Sequence, residues 1–443
     1  MEVPFLNRFF YAAGGAGFNL LERVLTTWLM YYYVPPGEAI RSPLVVAGIF
    51  GGIMFFGRVI DALADPLISN WSDNLKSLKG RRWPFLFWGG LPLAAVTIFI
   101  FYPPVDGVSG LNTVFLALML GLFFFFFTFY VCPYLALLPE IGRTKSERVD
   151  LTTLQAVFML VGTALAMVGS GPLVDRFGFL GMVWIMGIIG LIFLYMPVFA
   201  VNEKKFSRAK PAGLKLTESL KLTFQNKPFL TYLVGNALYW FGFNIITMGV
   251  PYYVTVLIGA SEGETAIFLG VAFGVALICF PLSNLASKKW GKKAVMLFSL
   301  GAFAVLLPMI YFFNAPFVPM SSYNFGLLIF GLLGVPLASL FIVPNAIVAD
   351  LTDVDEKVTG RRRESMFFGA QGIVLKSVMG LSSLTMGLLF HFFGNSQAEP
   401  LGVQLTGPVA ALFILIGFLV FTRFQEKDEL IGDNVDPEDI ILG

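Results

Sequence analysis

The chain has 443 residues, of which 57% are hydrophobic and 13% charged, with a net charge of +2 and a mean hydropathy of +0.78. Soluble globular domains carry about 25% charged residues, so this composition excludes a soluble protein and specifies an integral membrane protein. The small net charge gives no footprint for nucleic acid. Cys132 and Cys279 both lie inside apolar runs, which excludes a disulfide framework.

A spanning helix needs about 20 apolar residues. In chain order, apolar runs predict helices over 9–34, 44–69, 84–102, 111–138, 151–172 and 178–201, then over 228–257, 265–287, 294–313, 323–349, 365–393 and 403–421. The polar, Lys/Arg-rich stretch 202–226 reads as a cytoplasmic linker between two six-helix halves, residues 1–201 and 227–423. Residues 424–443 form an acidic tail. The first apolar run has no small-residue cleavage pattern and is read as a span that directs its own insertion.

Positive loops stay on the cytoplasmic side. Of the 30 Lys and Arg, only Arg41 and Arg176 fall in the loops that twelve alternating spans place outside, and Arg23, Arg58 and Lys376 fall within spans. The distribution predicts both termini inside, in the plasma or inner membrane if the source is bacterial.

The second run contains Gly57-Arg58-Val59-Ile60-Asp61-Ala62-Leu63-Ala64-Asp65-Pro66. On a helix Arg58, Asp61 and Asp65 project from one face. A single charge at mid-membrane costs about 2.5–3.5 kcal/mol on insertion scales, so three together need partners, a wet cavity or a bound ion. Two carboxylates one turn apart suit a cation. An Arg58 salt bridge that only braces the packing would leave one acid in surplus. Glu22 and Arg23 in helix 1 are adjacent and point to different faces, so one can reach a cavity while the other pairs across helices.

The chain also repeats itself. Pro66-Leu67-Ile68-Ser69-Asn70-Trp71-Ser72-Asp73 before Gly80-Arg81-Arg82 is echoed by Pro281-Leu282-Ser283-Asn284-Leu285-Ala286-Ser287 before Gly291-Lys292-Lys293. Tyr31-Tyr32-Tyr33-Val34 is echoed by Tyr252-Tyr253-Val254. Six plus six helices with matching inner loops is the plan of a major facilitator transporter.

The helix 2 cluster, with Asp73 and Gly80-Arg81-Arg82-Trp83-Pro84, resembles the signature of the glycoside-pentoside-hexuronide:cation symporters, the melibiose permease family. A second match follows helix 10, with Asp350, Asp353, Glu356 and Gly360-Arg361-Arg362-Arg363-Glu364. The resemblance spans nearly the whole chain. It implies an all-α membrane protein of twelve transmembrane helices in the major facilitator fold, acting as a symporter and not an enzyme. Asp61, Asp65 and Thr128 would hold the coupling cation, which is sodium, lithium or a proton, and no other cofactor is expected. The family's asparagine before the second Asp is Ala64 here. Asn19, Glu22, Arg58, Val131, Asn236, Trp240, Asn244 and Lys376 would line the substrate cavity. Asp73, Arg81, Arg82, Arg143, Arg148, Asp350, Asp353, Glu356 and Arg362 would form a cytoplasmic gate of ion pairs.

The family's sugar-binding acids on helices 1 and 4 align with Asn19 and Val131, its helix 5 arginine with Ala156 and its helix 4 aromatic platform with Leu135. A run of five phenylalanines, 123–127, suggests a greasier cavity. The first reading is therefore a sugar or glycoside symporter working as a monomer in the bilayer, and the alternative is a symporter of lysophospholipids or other amphiphiles. A non-transporting sensor or scaffold would have no use for the ion cluster. There is no Walker sequence to hydrolyse ATP and no nucleophile, base and orienter set. The sole histidine, His391, sits near the outer end of helix 11.

Overall fold

The computed structural model describes residues 4–37, 41–75, 77, 79–142, 145–200, 223–359 and 364–426. These form two compact units. Residues 202–222 of the expected linker, residue 201 at the expected end of helix 6, and the tail from 427 lie outside the described residues.

The first unit holds α1 (Phe5–Tyr33), α2 (Ala47–Asn74), α3 (Trp83–Phe99), α4 (Gly110–Ile141), α5 (Lys145–Ala164) and α6 (Ser170–Ala200). Together with these it takes in the short stretches Ser261–Ile267 and Ser396–Ala398. Otherwise the second unit holds α7 (Lys227–Tyr252), α8 (Thr265–Trp290), α9 (Lys292–Leu306), α10 (Ser322–Thr359), α11 (Glu364–Phe393) and α12 (Leu401–Phe421). Helices are the only elements among the described residues, as they must be where a bilayer offers backbone groups no water. Nine stretches among them are long and apolar enough to cross a membrane. The stretch Asp150–Phe199 counts once while carrying two helices, and α3 is a shorter apolar helix.

Two expected boundaries move. Helix 5 does not stop at Pro172: a π turn at Leu165–Gly169 leads into α6, and the helical path breaks at Gly178, where φ is 69°. Helix 10 does not stop at 349 but runs to Thr359, so Asp350, Asp353 and Glu356 ride on the helix itself.

In the first unit α1 packs on α5 and α6, and α4 packs on α2 and α3. Polar groups inside are satisfied across helices. Tyr11 donates to the Tyr134 carbonyl at 2.8 Å while Tyr134 donates to the Tyr11 carbonyl at 2.9 Å, with the rings stacked 4.7 Å apart. Such reciprocal bonds fix α1 against α4 without a charge. The second unit uses the same device, with Tyr232 donating to the Pro344 carbonyl at 3.1 Å and Tyr239 to that of Pro336. Those carbonyls sit in a helix that its own prolines interrupt.

The internal repeat is visible in the backbone. The α2–α3 and α8–α9 links both turn on a glycine of positive φ, 121° at Gly80 and 86° at Gly291, a conformation that disfavours a side chain. Pro66, directly after Asp65, lies inside α2 and has no N–H to give the Ala62 carbonyl.

Candidate functional site

The three charges of α2 meet a matching series on α4. Arg58, Asp61 and Asp65 face Phe124, Thr128 and Cys132, which recur every fourth residue and so share one face. The Arg58 guanidinium lies 4.7 Å from the centre of the Phe124 ring. Thr128 donates its hydroxyl to Asp61 Oδ1 at 2.6 Å and lies 3.4 Å from Asp65 Oδ1. The Cys132 thiol donates to the same Asp65 oxygen at 3.4 Å. Gly57 allows this close approach, because a Cβ there would meet the Phe124 ring at 2.8 Å.

Arg58 carries the cluster on to α1. Its Nη2 donates to Glu22 Oε1 at 3.0 Å, and its Nη1 lies 3.5 Å from Asp61 Oδ2. Arg58, Asp61 and Thr128 are all buried, and Asp65 is half-buried. Arg23 is buried on another face of α1. Glu22, Asp61 and Asp65 thus stand around Arg58, so that acids outnumber bases in the contacts of the cluster.

The oxygens of Asp61, Asp65 and Thr128 fit a hard monovalent ion by donor type. No group of three or more His, Cys, Asp or Glu suited to a metal occurs among the described residues, so the hydroxyl is part of any such donor set. Arg58, 3.5 Å from Asp61, would compete with such an ion for that carboxylate.

Asn19 is buried and donates to the Gly15 carbonyl of its own helix at 3.0 Å. Val131 is buried. Asn244 is buried and donates to Ser382 Oγ at 2.7 Å and to the Met379 carbonyl at 3.2 Å, tying α7 to α11. Asn236 is 0% exposed, and neither atom of its amide has a hydrogen-bond partner among the described residues. Trp240 is half-buried against Phe243 and Phe341, and Lys376 is half-buried on α11.

Of the expected gate residues, Asp73 pairs with Arg82 of its own unit at 2.8 Å, and the Arg81 guanidinium reaches the Asp73 carbonyl at 3.5 Å. Asp350 pairs with Lys292, also within its own unit. Asp353 and Glu356 are half-buried on α10. Arg143 and Arg362, and the side chain of Arg148, lie outside the described residues. The phenylalanine run serves packing first: Phe123, Phe124 and Phe127 are buried, with Phe127 edge-on to Phe18 of α1.

Sequence reasoning missed Cys132 and Phe124 as neighbours of the charges and Lys292 as the partner of Asp350. The spacing 124, 128, 132 was the available signal, hidden in an apolar run.

These helices and this charged face are those of a membrane transporter, and residues 10–422 match the family model described as MFS/sugar transport protein. The chain belongs to that family, and it is an integral, multi-pass, all-α protein of the major facilitator fold. It is 25% identical to the uncharacterized symporter YnaJ of Bacillus subtilis (strain 168), over 97% of this chain and 93% of that one. It is 22% identical to the isoprimeverose transporter of Lactiplantibacillus pentosus, over 95% and 87%. Among solved structures, the nucleoside transporter NupG superposes with a TM-score of 0.68 at 14% identity, over 95% of this chain and 99% of NupG, a likeness of fold.

Proposed function

We propose that this transporter is a cation-coupled symporter of a sugar or glycoside. The observation that carries the reading is the buried set in which Asp61 and Asp65 of α2 share the Thr128 hydroxyl of α4. A monovalent cation, sodium or lithium, would sit between the two carboxylates and the Thr128 oxygen, the hydroxyl keeping its proton and turning it away from Asp61. A proton carried on one carboxylate would do the same work. Ion binding would lock α2 to α4 and weaken the hold of Arg58 on Asp61.

One charge moved across 100 mV supplies about 2.3 kcal/mol, enough for roughly fiftyfold accumulation. The substrate class draws support from the relative named as an isoprimeverose transporter. In this reading both termini face the cytoplasm, one chain suffices, and Lys376 serves the substrate step. The gate residues close the cytoplasmic side as a network, because a single exposed pair is worth only about 0–1 kcal/mol. A second reading, an amphiphile symporter, is favoured by Asn19 and Val131 at the places of the family's sugar-binding acids.

The test is uptake by proteoliposomes of a sugar panel and of a lysophospholipid, with and without an inward sodium or proton gradient. The reading expects gradient-driven uptake of a sugar that Asp61→Asn and Asp65→Asn each abolish, with Lys376→Gln reducing it. Gradient-driven uptake that survives both aspartate substitutions overturns the coupling, and uptake of the lysophospholipid alone transfers the substrate to the second reading.

A further inference from the structure

A cavity of about 540 Å³ opens in the second unit where the last turns of α8 meet the start of α9 and the middle of α10. That volume is within the range of about 300–1,000 Å³ found for pockets that bury whole organic ligands. Leu282, Phe298 and Val335 wall it, and its two hydroxyls, Ser283 and Ser339, lie 3.4 Å apart and satisfy each other. A space with so few polar partners does not hold ordered water well. Its natural content is hydrocarbon.

The internal repeat explains why the space exists. Matching Ser69-Asn70 to Ser283-Asn284 and Gly80 to Gly291 places Trp71 opposite Leu285 and Trp83 opposite Ala294. In the first unit both indoles make ring contacts: Trp71, although 51% exposed, lies 5.2 Å from Phe85 and 5.6 Å from Phe129, and the half-buried Trp83 stacks on Phe87 at 4.8 Å while donating to the Val198 carbonyl at 3.0 Å. In the second unit the counterparts Leu285 and Ala294 both line the cavity. Where the first unit has two large rings the second has a leucine, itself 62% exposed, and an alanine, and the smaller side chains leave the groove open.

The mouth is charged. Lys288, Lys289 and Trp290 end α8, Lys289 lines the opening, and its ammonium sits 5.2 Å from the Trp290 ring. The nearby acids are engaged elsewhere, Asp350 with the Lys292 side chain and Glu426 with the backbone N–H of Lys293. No carboxylate pairs with Lys288 or Lys289 among the described residues. Trp290 is 65% exposed, as suits a ring at the headgroup level.

We propose that this cavity is a binding site for one anionic phospholipid, one of its acyl chains lying between α8, α9 and α10 and its phosphate held by Lys288 and Lys289. The site is separate from the α2 cluster, and the proposal does not depend on which ion or substrate is carried. Its occupant is a resident of the bilayer, not cargo.

Native mass spectrometry of the full chain, with phosphatidylglycerol or phosphatidylcholine added, tests this. Two lysines near a lipid surface predict a preference for phosphatidylglycerol on the order of tenfold. Lys288→Gln with Lys289→Gln should erase the preference, and Ala294→Trp, which restores the first unit's residue, should remove the retained lipid. If Ala294→Trp does not fold, Cys279 gives a reading on the unaltered chain, since it lines the cavity. Its alkylation by N-ethylmaleimide should be slower in phosphatidylglycerol than in phosphatidylcholine vesicles, with that of Cys132 unchanged. Equal retention of the two lipids, an undiminished preference in the double glutamine variant, or the same Cys279 rate in both vesicles would each overturn the proposal.

Discussion

Arg58 on α2 donates to Glu22 on α1 at 3.0 Å while lying 3.5 Å from Asp61, so one guanidinium is shared between two carboxylates on different helices. Under the proposed coupling, Glu22 would therefore set how strongly Arg58 competes with the ion for Asp61. Removing its charge leaves Arg58 to Asp61 alone. Glu22→Gln is expected to weaken coupling-ion affinity by roughly tenfold, the equivalent of about 1.4 kcal/mol, read by isothermal titration with sodium and by the ion dependence of uptake. An unchanged affinity would show that Arg58 does not compete at this site.

Thr128 places one hydroxyl against both aspartates. Thr128→Val keeps the shape and leaves Asp61 short of a donor, a loss of about 1–3 kcal/mol for a buried charged group. Ion-driven uptake should fall at least about tenfold in that variant, whereas Thr128→Ser should stay near the unaltered protein. Equal defects in valine and serine variants would point to the methyl group and not the oxygen.

Asn236 and Asn244 stand two turns apart on α7 and should respond in opposite directions. Asn244→Leu breaks its bonds to Ser382 and the Met379 carbonyl, at about 0.6–1.7 kcal/mol for interhelical hydrogen bonds in a membrane. Asn236→Leu removes a buried amide that has no partner among the described residues, so it should be neutral or stabilising. Thermal unfolding in detergent compares the two. A lower melting temperature for Asn236→Leu would refute the assignment.

Helix contacts give a sharper contrast. A Cβ on Gly162 of α5 would lie 2.2 Å from the Ala16 carbonyl oxygen of α1, a backbone atom that cannot step aside. Gly52 of α2 has nothing within 4 Å of its Cβ position. Gly162→Ala should sharply reduce the yield of folded protein, the close helix approach that small residues permit being lost. Gly52→Ala should fold normally, gaining up to about 1 kcal/mol in helix propensity. Size-exclusion profiles of the two variants decide it.

The charged face of α2 was legible from spacing alone, because charges inside a spanning run have few reasons to be there. Thr128 was legible only through resemblance to a symporter family. Cys132 and Phe124 were not, since a thiol and a ring carry no periodic contrast within a helix that is apolar all round. The end of helix 5 was misread at Pro172 because a π turn absorbs the change of register that a proline usually marks. The partner of Asp350 was hidden by sequence distance: Lys292 comes from the start of α9, and nothing local predicts the pairing. The expected end of helix 10 at 349 failed because its acids resemble a loop, although they continue the helix past the apolar part.

Pro66 gives α2 a mechanical property as well as a sequence signature. Without an N–H there, the helix lacks one rung of its ladder at Ala62, immediately beside the carboxylates. The part carrying Arg58, Asp61 and Asp65 is gripped by α1 and α4, while the part beyond it, ending at Asp73 and its bond to Arg82, leaves through the weakened turn. Bending costs least at that point of the rod. A change in grip at the carboxylates is therefore met, one residue later, by a swivel that can convert it into a tilt of the helix end.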